Sequence, residues 1–308
     1  MNYINKKITI FITIDLENMN TPLQEGRYTR NLFSIETIEP LLEILEKLSL
    51  KAVFFASVFE YSRFGEDKIS NVLQQLHTAG HEIQLHTHPS WCFDKEHMWQ
   101  YSLEEQIKII KHGKDLIIKW LGKTPVAHRA GAYGVNWDTI EALRRNQFSI
   151  DSSMFFENNN CKINWSANTV VCFDKIVEIP VTGFYRNYYL NLILFKYKYR
   201  RRFVKTDIDW SSYDELRKFI ESATKHHLKV INLFMHSYSF IMHDGNYKNF
   251  QINTENTEKL ETFLRFCLQY KNIQFMTMEE FLSAYRESPN LYIGNDYIPT
   301  MKRHVNIL

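Results

Sequence analysis

About seven times along this chain a short run rich in β-branched or aromatic residues gives way to a helical pattern. Strands that alternate with helices in this way pair in parallel, because each helix is the crossover that carries the chain back to the start of the next strand. The pattern therefore predicts an α/β fold: a deformed (β/α)7-type barrel of parallel strands with outer helices. The strand runs are 8–14, 51–55, 80–88, 126–129, 148–150, 177–181, 230–235 and 273–275. Helical periodicity occupies 34–48, 68–79, 102–121, 136–145, 212–225, 253–270 and 278–286. Ser34, Ser102 and Asn136 stand where N-caps belong, with Glu105 completing a capping box, and Gly80 and Gly122 stand just past helix ends.

Composition decides which classes remain. With 308 residues, 44% hydrophobic and 23% charged, the chain can bury a sizeable core as a globular protein. A net charge of +2 gives no reason to expect a nucleic-acid partner. Cys92, Cys161, Cys172 and Cys267 are scattered without a C-x-x-C pair, which argues against a disulfide framework or a zinc knuckle. The apolar run after Lys6 and Lys7 is cut off by Asp15 and Glu17, too early for a signal peptide or a membrane span, so the expectation is a cytoplasmic protein. We expect one domain over 1–288, with a basic, aromatic insertion at about 186–210, and a polar, irregular tail over 289–308. The oligomeric state is not legible.

The ends of the strands carry the chemistry. His86 and His88 close the run Gly80-His81-Glu82-Ile83-Gln84-Leu85, and residues two apart on a strand share a face. They are candidate metal ligands, imidazole being the commonest protein donor to a transition metal, although such pairs are as often ordinary surface histidines. Asp15 and Glu17 follow the first strand on one face; two acids there are costly unless they meet a cation or a donor, the plainer alternative being a cap on a nearby helix. Arg129, before the turn Ala130-Gly131-Ala132-Tyr133-Gly134, is a candidate to hold a carboxylate. Asp151 and His236 end later strands. In a barrel of parallel strands all these ends lie on one face, where active sites are built.

Two further stretches stand out. Trp91, Phe93, Trp99 and Tyr101 crowd the loop after the histidines, where aromatic faces suit sugar rings and equally well fill a core. Between Lys196 and Lys205 six basic residues alternate with Tyr197, Tyr199 and Phe203. Such a run can lie on an anionic membrane surface as a peripheral contact, meet a phosphorylated substrate, or form a solvated face or lid.

These residues resemble the polysaccharide deacetylase family, the one related to the chitooligosaccharide deacetylase of nodulation (NodB). Thr13-Ile14-Asp15-Leu16-Glu17 resembles its T-F-D-D motif, and His86-Thr87-His88 after the G-H-E-I strand its H-[ST]-x-x-H. Arg129-Ala130-Gly131-Ala132-Tyr133 resembles R-x-P-Y, Phe234-Met235-His236 the late leucine-x-histidine, and Ala52-Val53-Phe54-Phe55 the A-T-F-F strand. The order is kept over about residues 8 to 240. The departures are Leu16 in place of the second aspartate, histidines two apart rather than four, and no proline in the third motif.

The resemblance implies a metal-dependent hydrolase acting on a carbon–nitrogen bond of an N-acetylated sugar, free, nucleotide-linked or lipid-linked, compatible with surface-polysaccharide biosynthesis. It implies a divalent metal, zinc first, held by Glu17, His86 and His88, with Asp15 as general base, Arg129 orienting it and His236 as general acid. Whether Glu17 or Asp15 is the acidic ligand stays open. Tyr133 would supply an oxyanion donor through its N–H, Trp91 would meet the substrate, and Asp151 would support Arg129 or His236. Two alternatives remain: a catalytically inactive carbohydrate-binding member of the same fold, and a hydrolase of a non-sugar C–N amide bond.

Overall fold

The first strand is the axis of the structure. β1 (Ile8–Leu16) is buried along all its length. Its even residues Ile8, Ile10, Ile12, Ile14 and Leu16 pack outward into the large cluster shared with the helices, while Phe11 packs inward. A strand covered on both faces must read as a near-continuous apolar run, which this one does. The computed structural model describes residues 7–19, 35–163, 165–191, 196–243 and 250–306; Ser34, the expected cap, lies outside them.

Beside β1 stand β2 (Val53–Ser57), β3 (Glu82–Thr87), β4 (Ala127–Ala130) and β5 (Ile150–Asp151), then the edge pair β6 (Val171–Phe173) and β7 (Ile176–Glu178). A long hairpin follows, β8 (Gly183–Asn191) and β9 (Lys196–Lys205), then β10 (Val230–His236). The short pair β11 (Ile241–His243) and β12 (Phe250–Ile252), β13 (Ile273–Phe275) and β14 (Thr300–Asn306) complete the strands. The main sheet runs β10-β1-β2-β3-β4-β5-β7-β6, with β13 also on β1, and every pairing but β6 with β7 is parallel. Past β7 the backbones of Thr182 and Thr206 lead back to β10: Thr206 N–H donates to the Thr182 carbonyl (2.8 Å), and Phe234 N–H to the Thr206 carbonyl (2.9 Å). The sheet thus curls into the deformed barrel of mostly parallel strands that the strand–helix alternation predicts.

The helices are α1 (Ile35–Lys47), the short α2 (Tyr61–Phe64), α3 (Glu66–Thr78), α4 (Leu103–Leu121), α5 (Trp137–Arg145), α6 (Tyr213–Lys225), α7 (Thr254–Leu268) and α8 (Met278–Glu287). α4 starts and stops as expected, with the reciprocal Ser102–Glu105 box at one end and Gly122 at φ 65° at the other. α8 serves a different purpose. Met278 and Phe281 enter the inner core with Phe11, Val53 and Phe55, and the buried Glu82 carboxylate accepts the N–H groups of Met278 (3.1 Å) and Glu279 (2.9 Å) at its N-terminus. α8 therefore fills the barrel interior at the N-terminal end of the strands.

Two differences from expectation are physical. The basic insertion is the β8–β9 hairpin, rooted where Lys205 Nζ meets the Tyr133 hydroxyl (2.9 Å). The tail is not irregular throughout: β14 pairs in parallel with β8 from Thr300↔Tyr185 to Asn306↔Asn191. A hairpin standing off the barrel has an unpaired edge, and the tail covers it through backbone groups that no side-chain pattern announces.

The close approach of α4 to β3 needs Gly113, where a Cβ would lie 2.7 Å from Leu85 Cδ1 and 3.3 Å from Phe59 Cζ, both of them buried side chains. Gly113→Val should destabilise the fold by about 1–3 kcal/mol through overpacking, read as a lower midpoint of chemical denaturation at unchanged slope.

Candidate metal and catalytic site

Parallel register carries the polar strand ends to one level. Asp15 stands opposite His236 on β10 and Phe55 on β2; Ser57 on β2 stands opposite His86; and His86 stands opposite Arg129 on β4. All share the inward parity of Phe11 and Phe55. Glu17 and His88 lie just past their strands, and they close onto one another.

The ligating atoms of Glu17, His86 and His88 all lie within 4.8 Å of one another. Glu17 Oε2 is 3.1 Å from His86 Nε2 and 2.5 Å from His88 Nε2. His86 Nδ1–H donates to the Arg129 carbonyl (2.9 Å), which turns Nε2 to the Glu17 carboxylate. Neither ring nitrogen of His88 has a hydrogen-bond partner among the described residues, although both are buried. Two imidazole nitrogens and a carboxylate oxygen aimed at one another, one of them against hydrogen-bond geometry, form a donor set that fits a divalent cation. Gly131 makes room for it: a Cβ there would lie 2.5 Å from His88 Nδ1 and 2.6 Å from the Thr87 carbonyl. Burial would raise the Glu17 carboxyl, but His88 and His86 hold it well below the usual carboxylate range. The ligating atoms of a second triad, Asp15, Glu17 and His236, also lie within 4.8 Å of one another, so both acids face the same space.

Asp15 is held from the other side. Its Oδ1 accepts from Arg129 Nη1 (2.6 Å), and its Oδ2 points toward His86 Nε2 at 3.8 Å. Arg129 is wholly buried; it also donates to the Ser152 carbonyl (3.1 Å) and, through Nη2, to Ser152 Oγ, Thr13 Oγ1 and Asn232 Oδ1 at 3.1–3.3 Å. Its plane lies over Phe55 at 4.1 Å. His236 brings Nε2 to 3.7 Å from Glu17 Oε1 and Nδ1 to 3.7 Å from Asp209 Oδ2, and it stacks on Tyr238. Burial works against the Asp209 charge, but His236 and Ser239 keep the carboxyl below its ordinary range.

The groups line a pocket of about 180 Å³ whose wall is completed by Trp91, Glu96, Ala132 and Tyr133. Ala132 and Tyr133 both adopt left-handed backbone, φ 49° and 60°, a conformation that costs on the order of 1 kcal/mol or more for a non-glycine residue. A larger cleft of about 760 Å³ adjoins at Met19 and His236 and carries the exposed Trp210.

One expected site residue goes elsewhere. Asp151 is fully buried and accepts from His128 Nδ1 (2.7 Å) and Ser153 Oγ (2.7 Å); it supports neither Arg129 nor His236. The reason is parity: Asp151 is in register with His128, which faces away from the mouth, and the next residue, Ser152, turns inward to Arg129. Asp209, Asn232 and Glu60 were not expected. Asp209 belongs to the acid pair Asp207-Ile208-Asp209 before Trp210, a usable signal. Glu60 has none: it accepts from the backbone and side chain of Asn18, and its carboxyl is pushed up to about 8 by burial.

Residues 7–150 match the family model of polysaccharide deacetylase. No curated protein matches the chain. Among solved structures, a Mycobacterium smegmatis protein described as a polysaccharide deacetylase superposes with a TM-score of 0.64 at 16% identity, over 98% of this chain and 96% of that one. The PuuE allantoinase gives 0.60 at 11% identity, over 92% of each chain. A mutant CE4 family pseudoenzyme with restored enzymatic activity gives 0.50 at 16%, over 91% of this chain and 69% of that one. At these identities the likenesses establish the fold. Residues 7–150, a little under half of the chain, thus resemble the polysaccharide deacetylase family, with Leu16 and the shortened histidine spacing as departures, and the whole chain shares the fold of the solved structures.

Proposed function

We propose that the protein is a metal-dependent deacetylase that hydrolyses the amide of an N-acetylated sugar. The observation that carries this is the meeting of Glu17, His86 and His88 beside the Arg129-held Asp15 and the Asp209-facing His236, all in one pocket. Glu17 is the acidic ligand in this reading, because Asp15 gives one oxygen to Arg129. Zinc suits two imidazoles and a carboxylate with an open position. When bound, the ion supplies Lewis acidity toward the acyl carbonyl and a more acidic water.

The chain's own groups do the rest. Asp15 Oδ2 takes the proton of the attacking water, with Arg129 fixing the carboxylate's orientation. Tyr133 N–H donates to the oxyanion as it forms. His236, facing Asp209, gives a proton to the leaving amine as the C–N bond breaks, giving acetate and a free amino sugar. Trp91 and Tyr133 border the acyl pocket, while the adjoining cleft offers the Trp210 face, 69% exposed, to a sugar ring. We extend the reading to a sugar carried on a nucleotide or lipid and made in the cytoplasm for a surface polysaccharide.

A second reading, hydrolysis of a non-sugar C–N bond, is favoured by the likeness to the allantoinase fold. Metal-assayed protein offered N-acetylated sugars, their nucleotide conjugates and allantoin separates the two by which product appears. Metal-replete protein that turns over none of them would instead be the inactive, carbohydrate-binding form.

His86→Ala and His88→Ala should each abolish metal retention, and Gly131→Ala, which drives a methyl group into His88, should lower metal affinity by about 10–100-fold. Elemental analysis showing full metal in the histidine variants would refute the ligand set. Asp15→Asn should keep its metal and lose about 10²–10⁴ in kcat; turnover near wild type would remove it as base. His236→Ala should depress kcat far more than KM, whereas a pure KM effect would make it a binding residue.

A further inference from the structure

β1 ends at Leu16, so Glu17, the acidic ligand of the reading above, stands just past the ladder that fixes Asp15. Its carboxylate lacks the kind of anchor that Arg129 gives Asp15. Among the described residues its hydrogen-bond and ion-pair partners are His86, His88 and His236, all groups of the site itself. Metal ligands keep their aim through groups outside the ligand set. For Glu17 that support has to come through the backbone.

The backbone is clamped from two sides. On the β10 side, Ser237 follows His236, and its hydroxyl bridges both main-chain groups of Glu17. Oγ accepts from Glu17 N–H (3.3 Å) and donates to the Glu17 carbonyl (3.0 Å). On the β2 side, Glu60 closes the short turn Val58–Glu60 that follows the strand. Its Oε1 accepts from Asn18 N–H (2.9 Å) and its Oε2 from Asn18 Nδ2. Ser237 and Glu60 are both wholly buried. A carboxyl group taken out of water costs free energy unless donors meet it, and both oxygens of Glu60 are met by the residue next to the ligand. Strand pairing stops just short of here: β1 pairs with β10 as far as Asp15 opposite His236, and with β2 as far as Leu16 opposite Ala56. The two clamps continue from those last pairs, and they hold a ligand that no ladder holds.

We propose that Glu60 and Ser237 are positioning residues of the metal site, fixing the backbone of Glu17 and Asn18 so that the Glu17 carboxylate meets His86 and His88. The inference rests on the ligand set proposed above, and both residues act through Glu17. Its test reads metal affinity rather than turnover: zinc ion alone is titrated into metal-stripped, full-length protein in competition with a chromophoric chelator. Glu60→Ala and Ser237→Ala should each bind zinc about 10–100-fold more weakly than wild type. Glu60→Gln, which keeps an acceptor for Asn18 N–H, should recover most of that loss. Glu82 is the matched control, a buried carboxyl that also accepts two backbone N–H groups but at the floor of the barrel. Glu82→Ala should lower the midpoint of chemical denaturation and leave zinc affinity as in wild type. Circular dichroism checks that each variant is folded, and where Glu60→Ala does not fold, Ser237→Ala decides. Wild-type affinity in a folded Glu60→Ala or Ser237→Ala overturns the proposal. So does a Glu60→Gln no better than Glu60→Ala, or an equal loss in Glu82→Ala, which would make the effect one of general stability. Wild type that binds no zinc removes the ligand set along with its supports, a result distinct from zinc bound equally by every variant.

Discussion

Arg129 is charged and wholly buried, a state that costs several kcal/mol unless its donors are met and its charge is answered. The mouth of the barrel is arranged to do both. Asp15 on β1 answers the charge, while Thr13, Ser152 and Asn232 take the remaining donors from β1, the chain after β5, and β10. Two strands and the chain just past a third are thereby tied to a guanidinium carried by β4 at the level of the pocket. The same residue's carbonyl fixes the His86 tautomer, so the general-base candidate and one metal-ligand candidate are oriented through a single side chain and its own backbone. Lysine has no planar fork with which to make these contacts, and removing Asp15's charge would leave the cation uncompensated.

That arrangement tolerates the departures from the family's motifs. Histidines two apart still converge here because β3 ends at Thr87: His86 is still on the strand and faces inward, and His88, with φ −105° and ψ 90°, returns to the same side just beyond it. Glu17, one carbon longer than an aspartate, follows the same parity two residues after Asp15 and reaches both imidazoles. In the proposed ligand set the longer acid and the closer histidines are compatible, since such a set is defined by where its donor atoms meet rather than by the number of residues between them.

The two ends of the barrel carry different physics. At the floor, α8 fills the interior with Met278 and Phe281 while Glu82 satisfies its first N–H groups, and the result is stability. At the mouth, buried polar groups are satisfied largely by one another, and backbone strain at Ala132 and Tyr133 is retained where the pocket wall needs it. Lys205 links the mouth to the hairpin: its ammonium meets the Tyr133 hydroxyl and lies 3.6 Å from the Phe234 ring.

Local geometry made much of this readable in advance. Strand runs, helix caps and the common face of His86 and His88, or of Asp15 and Glu17, follow from periods of two and 3.6 residues that a sequence displays directly. Which groups meet across strands does not. Asp151 has the same strand-end position as Arg129, and one residue of register sends it to His128 instead of the mouth. Asp209 reaches His236 only because Thr206 bridges back to β10, and β14 exists only because β8 presents a backbone edge. Periodicity alone set the barrel's main strands, most of its helices and the chemistry at the strand ends. The order and register of the strands, long-range pairings made by backbone groups common to every residue, decided which of those ends became neighbours.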